Sequence, residues 1–158
     1  MPNHGVIFNK SNFGTSDINN HVVGYYREKI VEFYTFNPKP NSNFSDTFLI
    51  AQTNLPISYK NILVKRKKTF NFAPRGLRRI YLESVDFNKK FCLWADRQDQ
   101  VSSLELLTTN FMERIYALPF NLNIEIVGSF LYLYTKNTKI PYEQMLEILS
   151  WAFDEMKR

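Results

Sequence analysis

The sequence predicts an α+β domain: a largely antiparallel sheet of about six to eight strands with two or three helices and a C-terminal amphipathic helix. Three observations predict it. Runs of β-branched and aromatic residues dominate the first half, periodic helical segments begin only after residue 82, and strands and helices do not alternate as βαβ units would. With 158 residues, 44% of them apolar and 16% aromatic, the chain has material for one core, so residues 1–158 are read as a single domain.

Taken in order, Val22–Tyr26 and Ile30–Phe36 read as hairpin strands flanking the polar trio Arg27-Glu28-Lys29. Asn37–Asn43, with Pro38 and Pro40, is turn-forming and too polar to bury, and it leads into a strand over Thr47–Thr53. Further strands are expected at Asn61–Lys65 and Arg79–Leu82, joined by a basic loop that ends Ala73-Pro-Arg-Gly. Ser84–Lys90 has the character of a short helix, and Phe91–Ala95 that of a buried strand bounded by Asp96. In Thr109–Leu118 the apolar positions Phe111, Ile115 and Leu118 share one helical face. Asn123–Val127 and Phe130–Thr135 flank Gly128-Ser129, a two-residue hairpin signal that wants Gly first. Pro141 suits the first position of a last helix, in which Met145, Leu149, Ala152 and Met156 form a stripe, with Leu146 and Phe153 beside it and Glu143, Glu147 and Asp154 turned away.

The net charge of +5 is unevenly placed. Between Thr47 and Leu82 there is no Asp or Glu, against eight Lys or Arg; residues 1–46 balance at four of each sign, and 83–158 hold eleven acids against eight bases. The densest part is Lys65, Arg66, Lys67, Lys68, Arg75, Arg78 and Arg79, with Phe70 and Phe72 interleaved. Clustered cations contact phosphates, and exposed aromatics stack on bases or dip into a lipid interface, so this segment is the candidate anion-binding loop. The competing reading is a solvated hairpin edge on which lysines discourage strand addition while both Phe side chains point into the core.

Most catalytic constellations fail on supply. Only His4 and His21 could serve as an imidazole base, the first near the terminus and the second at the start of a strand. Cys92 lies between Phe91 and Leu93, where a thiol is a small buried hydrophobe; as the one cysteine it also rules out an intrachain disulfide, which fits a reducing compartment. No C-x-x-C, H-E-x-x-H or EF-hand spacing occurs, and the five glycines never come nearer than nine residues, which excludes a P-loop and a dinucleotide fingerprint. Asp86, Asp96 and Asp99 are read as solvated cap carboxylates, not as a cation site. No cofactor, metal or small-molecule ligand is indicated. Asn9-Lys-Ser and Asn43-Phe-Ser match a glycosylation acceptor by chance in a chain without secretory context, and no apolar run is long enough to span a bilayer.

The segment Leu82-Glu-Ser-Val-Asp-Phe-Asn-Lys-Lys-Phe, with Asp96 and then Leu107-Thr-Thr-Asn-Phe-Met-Glu, resembles an uncharacterised bacterial family, domain of unknown function 3137. The family pattern is met at Leu82, Glu83, Ser84, Phe87, Phe91, Asp96, Leu107, Thr108, Phe111, Met112 and Glu113, and departed from at Thr109, where it has proline. A looser likeness extends over most of the chain. The resemblance implies a soluble domain whose relatives often carry transmembrane helices ahead of it, and it carries over no catalytic residue. The matched positions read as fold determinants.

These readings converge on a non-enzymatic binding or scaffold module, cytoplasmic or membrane-associated, that meets an anionic membrane surface or nucleic acid through residues 65–79. A protein-interaction domain with a merely solubilising basic edge is the first alternative. An unrecognised hydrolase is the second; it would need a deep pocket of convergent acids and tyrosines, with Asp86, Asp96, Asp99 and Glu113 the first suspects.

Overall fold

A computed structural model describes residues 18–37, 47–97 and 107–156. Among these, the elements run β1 (Ile18–Tyr26), β2 (Lys29–Phe36), β3 (Phe48–Arg66), β4 (Leu77–Ile80), α1 (Val85–Lys90), β5 (Phe91–Asp96), α2 (Thr109–Ala117), β6 (Asn123–Thr135) and α3 (Tyr142–Met156). The six strands form one antiparallel sheet in the order β1-β2-β3-β5-β4, with β6 also paired to β3. The expected α+β class is therefore what the chain adopts. Pro38–Asn43, His4, Asp99 and the two glycosylation sequons lie outside the described residues.

β3 is the spine. Its first half pairs with β2 (Val31↔Thr53 to Phe36↔Phe48) and its second half with β5 (Ile62↔Ala95 to Arg66↔Phe91), while β6 pairs with both halves (Leu49↔Thr135 to Val64↔Ile124). The separate strands expected at 47–53 and 61–65 are thus one strand of 19 residues. Pro56, which cannot donate to a ladder, falls in the interval where β3 slips register against β6, between Asn54 and Tyr59.

The hairpin expected at Gly128-Ser129 is likewise absent: β6 runs unbroken for 13 residues. Gly128 stands opposite Tyr59 at the register shift with φ of +61°, so the glycine that looked like a turn serves a bulge that lets two long strands bend together. β4 starts two residues earlier than the expected 79–82. The first hairpin is where it was expected, tightened to a two-residue Arg27-Glu28 turn in which both residues have positive φ.

All three helices lie on one face. Phe87 from α1, Phe111 and Ile115 from α2, and Met145, Leu149 and Ala152 from α3 share one cluster with Leu49, Ala51, Ile62, Val64, Leu93 and Leu133 of the sheet. The opposite face has its own buried cluster, including Tyr34, Phe36, Ile50, Leu63, Trp94, Tyr132 and Tyr134. A polar ladder crosses it. Glu32, Gln52 and Tyr132 are cross-strand neighbours on β2, β3 and β6; Tyr34 Oη donates to Gln52 Oε1 (2.5 Å) and Gln52 Nε2 to Glu32 Oε1 (3.2 Å).

Candidate functional site

The connection between β3 and β4 is not the hairpin edge that one reading of the basic segment required. Both strands are antiparallel to β5, which lies between them, so they are parallel to each other and the chain must travel back along β5 to join them. Parallel strands are usually joined by a dozen or more residues, commonly including a helix. Here residues 67–76 do it without one. At one end Lys67 N donates to Lys90 O (2.8 Å). The side chain of Asn71 clamps the Lys68 peptide, accepting from Lys68 N (2.8 Å) and donating to Lys68 O (2.5 Å). At the other end Leu77 N reaches Pro74 O (3.1 Å) around a turn whose third residue, Gly76, has φ of +81°, the value a type II turn asks of glycine.

This crossover does not turn its aromatics inward. Phe70 is 76% exposed and Phe72 85%, with their rings stacked on each other at 6.4 Å between centroids and 13° between planes. The reading in which both point into the core is overturned by that exposure. The seven basic residues divide. Lys67, Lys68, Arg75 and Arg78 are exposed. Arg66 and Arg79 are half-buried and spend their guanidinium groups on the fold: Arg66 Nη2 donates to Leu118 O and Arg79 Nη2 to Phe91 O, each at 3.2 Å. Arg79 also stacks over Tyr81 (4.9 Å) and Trp94 (5.4 Å), and Arg66 over Phe91 (5.7 Å). Lys65, half-buried, is paired in register with Cys92, the buried free thiol.

A second feature was not anticipated as a unit. An open cleft of about 750 Å³ lies between α1 and α2, with Leu82, Phe87, Leu107 and Met112 contributing apolar surface and Glu83, Asp86, Glu113, Tyr81 and Tyr116 polar groups. Two of the suspected acids, Asp86 and Glu113, therefore line the same cleft; Asp96, on β5, does not. Ser84 also lines the cleft, but its hydroxyl is engaged as the α1 cap, accepting from Phe87 N (3.3 Å). Asn88 clamps the Leu82 peptide through both its N–H and its C=O. Thr108 caps α2 by accepting from Phe111 N (3.1 Å) and donates to Glu155 Oε2 (3.3 Å) on α3, while Asn110 Nδ2 donates to Glu155 Oε1 (3.1 Å). Ser84, Phe87, Phe91, Thr108 and Phe111 thus build the fold, as the sequence suggested; Ser84 and Phe87 also line the cleft beside Glu83, Met112 and Glu113, and Met112 packs against the core too.

Among the described residues no three His, Cys, Asp or Glu side chains gather as a metal ion would require, and no helix is long and apolar enough to cross a membrane.

A family profile described as "Protein of unknown function (DUF3137)" matches residues 34–155. No curated protein matches the sequence. Among solved structures, the crystal structure of the mycobacterial trehalose monomycolate transport factor A is similar, with a TM-score of 0.66 at 6% identity, over 97% of this chain and 76% of that one. At that identity the likeness is one of fold.

Proposed function

We propose that this chain, which belongs to the DUF3137 family of proteins of unknown function, is a non-enzymatic binding module whose β3–β4 crossover docks on an anionic membrane surface. The observation that carries the reading is the stacked, exposed pair Phe70 and Phe72 between exposed Lys67, Lys68, Arg75 and Arg78. Two phenyl rings in water contribute nothing to the core, and clamping their loop through Asn71 and Gly76 holds them ready for an apolar surface. Partial burial of two such rings is worth about 3 kcal/mol, and each cation near an anionic leaflet about 1 kcal/mol more. The result is reversible, salt-sensitive attachment. Kinship of fold with a transport factor is compatible with a scaffold or binding role.

Co-sedimentation with vesicles of neutral and of anionic lipid, across a salt series and beside single-stranded and duplex nucleic acid, tests the reading. Binding to the anionic vesicles is expected, lost on raising the salt, and lost both in K67A/K68A/R75A/R78A and in F70A/F72A. Retention by F70A/F72A, or a preference for nucleic acid, overturns it. A hydrolase is the second reading, resting on Asp86 and Glu113 lining one cleft; no hydrolysis of a panel of ester and phosphoester substrates, or a trace that is unchanged in D86N/E113Q, would remove it.

A further inference from the structure

The outer strand of the sheet is its least defended surface. From Ile18 to Tyr26, β1 contains no Lys, Arg, Asp, Glu or Pro, the residues with which edge strands usually discourage the addition of another strand. Among the described residues β1 pairs with β2 alone, and none of them meets the outward half of its backbone N–H and C=O groups. Its side chains are bare as well: Val22 is 53% exposed, Val23 58% and Tyr25 80%, and Ile30, opposite Tyr25 on β2, 52%.

The strand is nevertheless held in place. Lys29 Nζ donates to Arg27 O (3.3 Å) and Ser150 Oγ (3.4 Å), lies 3.4 Å from Asp154 Oδ1, and sits over the Phe153 ring, tying the hairpin tip to α3. On the other face, His21 Nε2 meets Glu32 Oε2 at 2.8 Å. Asn20, with φ of +54°, and the register shift between Asn19 and Val22 make a bulge, so the regular part of the edge is Val22–Tyr26.

An extended strand satisfies such an edge, and the regular part of β1 is complementary to itself. Antiparallel pairing of Val22–Tyr26 with itself, about a two-fold axis through Gly24, sets Val23 opposite Tyr25 and Val22 opposite Tyr26 in both halves. Every side-chain pair is then aromatic on β-branched, a favourable cross-strand combination, and no like charges meet. Gly24, on the axis, has nothing within 4 Å of where a Cβ would stand. We infer that β1 is a self-association edge, on which a second copy of this chain adds antiparallel and joins the two sheets into one. Because the contact is isologous it closes as a dimer and does not propagate.

Sedimentation velocity on the full chain over a wide concentration range should show a reversible monomer–dimer equilibrium. Val23→Glu alone and Tyr25→Lys alone should each weaken the dimer by about tenfold or more, since each places a charge in both of the apolar Val23–Tyr25 pairs. Mixing the two variants should restore association between them, because across the proposed axis the introduced carboxylate faces the introduced ammonium. Both side chains are exposed in the single chain, and unchanged circular dichroism serves as the folding control. A chain that stays monomeric throughout overturns the inference. So does a dimer indifferent to Val23→Glu, or a mixture that associates no better than either variant alone.

Discussion

Glu155 shows how a single residue can oppose the pattern around it. It stands beside Met156 on the apolar side of α3 and is 7% exposed, where its carboxylate collects hydrogen bonds from Thr108 and Asn110 at the start of α2. A carboxylate there also meets the positive end of that helix. Glu155→Gln replaces one acceptor by an amide donor facing Asn110 Nδ2, and should cost about 1–3 kcal/mol in urea denaturation. The Arg27-Glu28 turn holds strain of another kind, since both residues have positive φ, at +47° and +65°, in a turn that prefers Asn-Gly. Glu28→Gly should accordingly raise stability by roughly 0.5–1 kcal/mol in the same assay. The hairpin was legible from its flanking strands. The fate of Glu155 was not, because a helical stripe records which face is apolar and says nothing of a neighbouring helix end in want of an acceptor.

Among the elements, β6 teaches most. Gly with positive φ serves a hairpin turn and a bulge equally well, so Gly128-Ser129 between two apolar runs could not tell one from the other. What decides is β3, whose own irregularity at Asn54–Tyr59 matches it from about seventy residues away in the chain. A Cβ at position 128 would meet Ser58 Oγ at 3.6 Å, an ordinary contact, so the requirement for glycine is one of backbone conformation. Gly128→Ala should lose about 1 kcal/mol of stability, and Gly128→Asn less, because asparagine tolerates the left-handed region; thermal unfolding of the pair checks the order. The basic loop was visible in the sequence as a run of charge. Its division into four exposed cations and three half-buried basic residues was not, since that follows from β5 lying between β3 and β4 and from the carbonyls of Leu118 and Phe91 standing where Arg66 and Arg79 can reach them.

Over the whole molecule, the face opposite the helices concentrates phenols. Burial raises the pKa of Tyr34, Tyr132 and Tyr134, with nearby Glu32 and Glu125 adding to it, and the Tyr134 side chain hydrogen-bonds Glu125. In the unfolded chain these groups ionise near pH 10 while in the folded one they hold their protons, so the unfolded state binds fewer protons above that pH and stability falls as pH rises. Denaturation midpoints should drop as pH rises above about 9, at up to about 1.4 kcal/mol per pH unit for each of the three, and Tyr132→Phe should make the slope shallower. The length of β3 has its own consequence, for the order in which the protein can be made. The only strand among those described that pairs with both halves of β3 is β6, and it ends at Thr135. While the chain leaves the ribosome, the side of β3 that β6 covers therefore waits for a partner synthesised some seventy residues later, a long-range closure of the kind that slows folding. Nascent chains arrested before β6 should stay open to protease and be held by chaperones, and the fold should close in one late step rather than grow strand by strand.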